Sequence, residues 1–350
     1  MIRRITSGDI AREARVSQTT VSFVLNDTEG ASISAQTRAR VLSAARALGY
    51  VPNSAARTLG SGKSRTLGLV LAHADLMSFD AFAPPLMFAI SRVCNARGYK
   101  LLVDAVESGA KRDAYFDLTR SKSIDALIVL NSNSEDEALV RLIESNFPVI
   151  LFGSIGHPNE NSICPNTWQA AEHATQHLIE LGHRRIAHIT YAPAPYVGST
   201  VRLRAYQRAL DRAKLRNDDE LVAYGDFSMQ SGYLATREIL RRGKPPTALF
   251  AGNDTIAVGA IAAIREAGLS VPGDVAVVGF DDLPIAAFTS PKLTTVTTEA
   301  AVQGEQAALA AIDLLNGKRI GRRNCSLSLE LIVRDSCGAK SLHRPVKGRR

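Results

Sequence analysis

The chain's 350 residues, 45% hydrophobic and 22% charged, allow one to three domains with full cores and exclude a disordered or low-complexity polypeptide. No apolar run reaches the roughly 18 residues of a membrane span, and the two N-terminal arginines precede no apolar segment of secretory type. The net charge of +8 is concentrated at the ends: +6 in residues 1–65, from ten Lys/Arg and four Asp/Glu, and +5 in residues 340–350, which leaves −3 on residues 66–339.

A basic head on a mildly acidic body predicts a polyanion-binding module joined to a second function. In the head, "TSGD" at 6–9 has the capping-box form and opens a helix running to about residues 12–14. Ser17 is placed to cap a second helix and Ser34 a third, "AQTRARVLSAARALGY", with Val41, Leu42, Ala45 and Leu48 at helical spacing. On the second helix Val21, Val24 and Leu25 share one face, by steps of three and four. Gln18, Thr19, Ser22, Phe23 and Asn26 form a separate stripe. With the short turn "ARVS" behind it, this pair of helices has helix–turn–helix spacing. An ordinary surface helix is the alternative. Yet amides, hydroxyls and an aromatic are the groups that meet base edges and thymine methyls, and the head is strongly basic.

The segment "NSAARTL" at 53–59 follows Pro52 and is too short for a helix stable alone in water. A flexible linker is one reading. The residues also permit a short contact helix, since Asn53 can cap it and Ala55 and Ala56 allow close approach. "GSGKS" at 60–64 is no phosphate loop, because Arg57 stands where that motif needs Gly and the stretch precedes a strand.

From residue 66 apolar, strand-like runs at 66–72, 100–106, 125–130, 147–153, 184–190, 247–252 and 274–280 alternate with amphipathic helical stretches. That alternation predicts doubly wound parallel sheets, and the length predicts two α/β lobes with a ligand between them at the carboxyl ends of the strands. His173 and His177 lack the order of a metal-binding helix and a third ligand. Cys94, Cys164, Cys325 and Cys337 show no C-x-x-C spacing, which suits a reduced cytoplasm, although Cys325 and Cys337 are free to pair. The terminal "KSLHRPVKGRR" reads as a solubilising tail.

Asp9 to Asn26 carries "D-I-A-x-x-A-x-V-S-x-x-T-V-S-x-V-L-N", and Thr37 to Asn53 carries "T-R-x-x-V-x-x-A-x-x-x-L-G-Y-x-P-N". By these motifs, and by "HLIELGHRRIAHI", "RLRAYQRAL" and "PPTALFAGNDTIAVGAIAAIREAGLSVPGDVAVVGFDD", the chain resembles the lactose-repressor (LacI/GalR) family over nearly its full length. The resemblance implies an all-α helix–turn–helix head at 1–49, a hinge helix and linker at 50–65, a two-lobed periplasmic-binding-protein-like body at 66–339 and a basic tail at 340–350. It implies a homodimer on near-palindromic operator DNA, controlled by a small-molecule effector, a sugar by family analogy. It adds Ser7, Ser17 and Tyr50 to the DNA-contacting stripe and places Asn53, Ala56, Arg57 and Leu59 in a hinge ordered on DNA. It assigns effector contacts to Arg202, Phe227, Asn253 and Asp281, with Phe79 and Asp80 as further candidates, and it implies no cofactor and no catalysis.

Two departures stand in the head: Arg15 where the family has a turn Gly, and Phe23 where well-known members have Arg. In the body Asn166 and Thr167 replace the usual Asp and Asn, just before Trp168. A sugar-binding transport component shares such a body but is expected to carry an export signal and no head. A dehydrogenase is expected to show G-x-G-x-x-G after the first strand, where "GLVLAHADLMS" stands.

Overall fold

The computed structural model describes residues 5–25, 30–50, 58, 62–72, 81–106, 114–324 and 329–339. Asn26, Asn53, Ala56, Arg57, Leu59, Phe79, Asp80, Cys325 and the 340–350 tail lie outside these. The chain divides into two units, Met1–Arg65 and Thr66–Arg350.

The first unit holds three helices, α1 (Ser7–Glu13), α2 (Gln18–Leu25) and α3 (Ala35–Ala47). Each starts on a hydroxyl. The Thr6 and Asp9 side chains bond each other's backbone N–H in a capping box, and Ser17 and Ser34 accept from Thr20 and Thr37 N–H at 3.1 and 3.2 Å. Arg15 takes a left-handed φ of 53°, so the turn keeps its shape without Gly, at the cost such a backbone carries for a residue with a Cβ. Ile10, Val21, Val24 and Val41 form the core, with Leu25 and Leu48 half-buried against it.

In the second unit two parallel sheets make two lobes. The first has strand order β11-β5-β4-β3-β1-β2, from β1 (Thr66–Ala72), β2 (Lys100–Val106), β3 (Ala126–Leu130), β4 (Val149–Phe152), β5 (Ser162–Cys164) and β11 (Arg322–Asn324). The second has order β7-β6-β8-β9, from β6 (Ile186–Thr190), β7 (Val222–Tyr224), β8 (Ala248–Ala251) and β9 (Ala276–Val278). Every ladder within these sheets is parallel. Strands β3, β4, β6 and β8 are buried throughout, as expected where helices cover both faces of a sheet.

The helices of the first lobe are α4 (Ala83–Ala96), α5 (Ala114–Arg120) and α6 (Glu137–Glu144). Those of the second are α7 (Thr167–Glu180), α8 (Val197–Arg212), α9 (Met229–Arg241) and α10 (Asp254–Glu266). A late helix, α11 (Ala300–Leu315), returns to pack on α4, its Ala307, Ala311 and Ile312 joining Leu86 and Ile90 in the first lobe's core. The chain then supplies β11 to the first sheet and re-enters the second lobe, where β12 (Leu331–Ile332) pairs antiparallel with β10 (Thr295–Val296). The lobes are therefore interleaved along the sequence, with three crossings. Close approach of α9 and α10 depends on Gly232 and Gly259, since a Cβ at either would run into the other helix's Ile256 or Met229 backbone.

His188, in the middle of β6, is fully buried between the Tyr206 and Phe250 rings at 5.0 and 4.9 Å, and its Nδ1 donates to the Phe250 carbonyl at 2.8 Å. Burial lowers its pKa from 6.5 to about 4, against the opposing pull of that hydrogen bond. Since the folded protein holds the neutral ring, this stability is full above about 6.5 and is lost as pH falls toward about 4. The loss amounts to about 3 kcal/mol over that window. His188→Phe keeps the stack and is expected to flatten that part of the curve of urea midpoint against pH. An unchanged slope would assign the acid sensitivity to other groups.

Candidate functional site

The head presents one face of α2. Val21 and Val24 point inward, while Gln18, Thr19, Ser22 and Phe23 are exposed, Phe23 by 39%. Phe23 therefore does not fold back into the head's core. Glycine at position 8 lets the Gln18 amide nitrogen approach α1, since a Cβ there would sit 2.7 Å from it. Ser17 is committed to its cap, with its hydroxyl 2.9 Å from that of Thr20. Ser7 lies in the first turn of α1, and Tyr50 is half-buried against the head's core.

In the body, a cavity of about 710 Å³ opens between the two sheets. Its wall is built from residues just past strand carboxyl ends: Asn131 and Ser132 after β3, Gly153 after β4, Tyr191 after β6 and Asn253 after β8. Such ends, where strand order reverses on either side of β1 and β6, are where open α/β sheets leave room for ligands.

The expected effector contacts Arg202, Phe227, Asn253 and Asp281 all line this cavity. Arg202, from α8, is buried. It donates to the Gly252 carbonyl and, at 3.2 Å, to Asp281 Oδ1. The rings of Tyr191 and Phe280 flank its guanidinium at 4.6 and 3.8 Å, and its Nε has no hydrogen-bond partner. Asn253 accepts from Ile256 N–H at 2.8 Å, capping α10 from the cavity wall. Phe227, at φ 69°, packs edge-on against Tyr191 and Tyr196 at 5.2 and 5.7 Å.

Asp281 and Asp282 take φ of 109° and 51°, a strained pair for non-glycine residues. Two side chains brace this turn. Asp254 accepts from Leu283 N–H at 2.7 Å and from the Thr295 hydroxyl, and Arg334 donates to Asp282 Oδ1 at 2.7 Å. Burial first, then the charge of Asp281, raises the Asp254 pKa well above the usual carboxylate range.

Several wall residues were not singled out as contacts from the sequence: Asn131, Ser132, Tyr191, Tyr196, Thr298 and Gln303. The signal for Asn131 and Tyr191 was present, since each directly follows an apolar strand run. Nothing local marks Gln303, which arrives from α11 after a crossing. Asn166 caps α7, accepting from Gln169 N–H at 3.3 Å, and Trp168 on the first turn remains 40% exposed. His177 Nε2 packs 3.4 Å from Cys337 Sγ, and Cys94, Cys164 and Cys337 are free thiols among the described residues, while Cys325 lies outside them. No helix among the described residues is long and apolar enough to cross a membrane.

Residues 6–53 match the model of bacterial regulatory proteins of the lacI family, and residues 175–337 that of the periplasmic binding protein-like domain. The HTH-type transcriptional repressor PurR of Aliivibrio fischeri (strain MJ11) is 34% identical over 337 residues, 95% of this chain and 98% of its own length. Among solved structures, a lac repressor dimer bound to operator and the anti-inducer ONPF superposes with TM-score 0.84 at 29% identity, over 96% of this chain and 99% of that one. A transcriptional regulator CelR–cellobiose complex gives TM-score 0.73 at 31% identity, over 95% of this chain and 100% of that one.

Proposed function

The chain belongs to the LacI family of bacterial regulatory proteins, and on that footing we propose that it is a DNA-binding transcriptional repressor switched by a small molecule held between its two lobes. The observation that carries the DNA role is the outward face of α2: Gln18, Thr19, Ser22 and Phe23 over a buried Val21–Val24 seam, on a capped helix of a basic head. Side chains at these positions suit the major groove, whose base pairs each show a distinct donor–acceptor pattern. Asn26, and Asn53, Ala56, Arg57 and Leu59 of the 50–65 segment, complete the proposed DNA contacts, with Ser7, Ser17 and Tyr50 at the backbone.

The protein acts as a homodimer in this reading, so its operator is near-palindromic. Exposed apolar side chains suited to such an interface are Phe88 on α4 and Leu102 and Val103 on β2 in the first lobe, with Leu234 and Phe288 in the second. Arg202, Phe227, Asn253 and Asp281 are the proposed effector contacts, joined by Phe79 and Asp80. A carbohydrate is the effector class we favour, as cellobiose is the ligand of the CelR complex. The reading places the protein in the cytoplasm, with no cofactor and no catalysis.

Selection of operators from random DNA by the full-length protein, repeated with candidate effectors, tests this. A near-palindrome bound by the dimer and released or tightened by a ligand is the expected result; binding without sequence preference would refute it. Phe23 cannot form the bidentate bond to guanine that an arginine forms. Phe23→Arg is therefore expected to shift one position of each half-site toward guanine, by about 2 kcal/mol of discrimination. An unshifted consensus would place Phe23 outside the groove.

A further inference from the structure

Two charged residues line the interlobe cavity among the described residues, Arg202 and Asp281, and each neutralises the other at 3.2 Å; Asp80, a proposed contact outside the described residues, adds no positive charge to offset an anion. The Gly252 carbonyl takes a further guanidinium donor, and aromatic rings flank the group. An anionic ligand approaching Arg202 meets the Asp281 carboxylate, and a cationic ligand approaching Asp281 meets the guanidinium. Drawing an unmatched charge out of water into this wall is unfavourable either way. Hydroxyl groups carry no such penalty: Ser132 and Thr298 donate to the Phe152 and Asp281 carbonyls and keep oxygens that accept, and Gln303, donating to the Thr298 carbonyl, keeps its amide oxygen and a second N–H.

The space of about 710 Å³ is several times the volume of one pyranose ring. Three wall aromatics, Tyr191, Tyr196 and Phe227, are buried and packed edge-on in one cluster. Trp168 differs from them. It stands on the first turn of α7, outside that cluster, with 40% of its surface uncovered. An uncovered indole on a cavity wall is a stacking platform for the C–H face of a sugar ring.

We propose that the effector is an uncharged ligand of at least two linked sugar rings, one held by the polar groups around Arg202 and Asp281 and another stacked on Trp168. This rests on the carbohydrate-effector reading above and narrows it. Trp168 is the chain's one tryptophan, so its emission reports the contact directly.

The test titrates the full-length protein, by intrinsic fluorescence and by calorimetry, with five kinds of ligand: glucose and galactose; maltose, lactose and cellobiose; glucose 6-phosphate; glucuronate; hypoxanthine and guanine. The expected result is a neutral disaccharide that shifts Trp168 emission and binds at least about tenfold more tightly than its constituent monosaccharides. Glucose 6-phosphate and glucuronate leave the emission unchanged. By calorimetry Trp168→Ala loses about tenfold in disaccharide affinity and nothing for monosaccharides, while Trp168→Phe retains most of the gain.

Preferential binding of a charged sugar or a nucleobase overturns the proposal, as does an unchanged disaccharide preference in Trp168→Ala. A monosaccharide bound tightest, and releasing or tightening the operator, removes this inference and leaves the carbohydrate effector standing. If no sugar in the panel binds, the carbohydrate reading fails and this proposal fails with it.

Discussion

Ile10→Ala is expected to abolish operator binding while leaving the unfolding of the body where it was. Ile10 is fully buried at the junction of α1 with Val21 and Val24 of α2 and Val41 of α3. Emptying that site costs about 3 kcal/mol in lost transfer energy and residual cavity. The head is small, and small units bury a lower fraction of their surface and fold with little margin. A loss of that size changes the folded-to-unfolded ratio by about two powers of ten, and α2 is no longer presented as a rigid face. Fluorescence anisotropy with labelled operator measures the first effect, and urea unfolding of the same variant measures the second. Operator affinity within a few-fold of the parent would show that DNA binding does not need this core.

The second large effect is expected at Arg202. Arg202→Ala strips the Asp281 carboxylate and the Gly252 carbonyl of their donor within the wall. Removing one partner of a buried pair leaves a charge uncompensated, at a cost of about 3 kcal/mol. The body should unfold at markedly lower urea, and operator binding should persist but no longer respond to effector. Adding Asp281→Asn removes the stranded charge, so the double variant should recover part of the stability without recovering the response. Full stability in Arg202→Ala would show that the pair holds nothing together; an intact response would move the ligand elsewhere.

What the sequence disclosed follows the range over which each signal acts. Capping at Thr6, Ser17 and Ser34, and the division of α2 between Val21–Val24 and the exposed stripe, are decided by neighbours three or four residues away. The runs at 66–72 and 100–106 coincide with β1 and β2 end to end, because those strands are long and strongly apolar. Strands β5, β7, β10, β11 and β12 have two or three residues, too few for any period to register. Missing them hid the interleaving, since α11 and β11 read locally as more of the same alternation.

The cavity's place between the lobes was legible in the strand–helix alternation, but its contacts Arg202, Phe227, Asn253 and Asp281 were legible only through resemblance. Arg202 and Asp281 are 79 residues apart in sequence, and no spacing rule brings them together. Nor does any pattern foretell that Arg15 keeps a left-handed turn, or that Asp281 and Asp282 are held strained by Asp254 and Arg334. Those outcomes depend on tertiary bracing.

The threefold passage of the backbone between the lobes has a consequence for biosynthesis. As the polypeptide leaves the ribosome, the first sheet emerges with α4 uncovered, and the helix that seals Leu86 and Ile90 follows only at residues 300–315. The first lobe cannot therefore mature by itself, and truncation between α4 and that helix strands an oily surface rather than releasing an independent module. Quality control during translation must shelter that surface until nearly the whole polypeptide has been made.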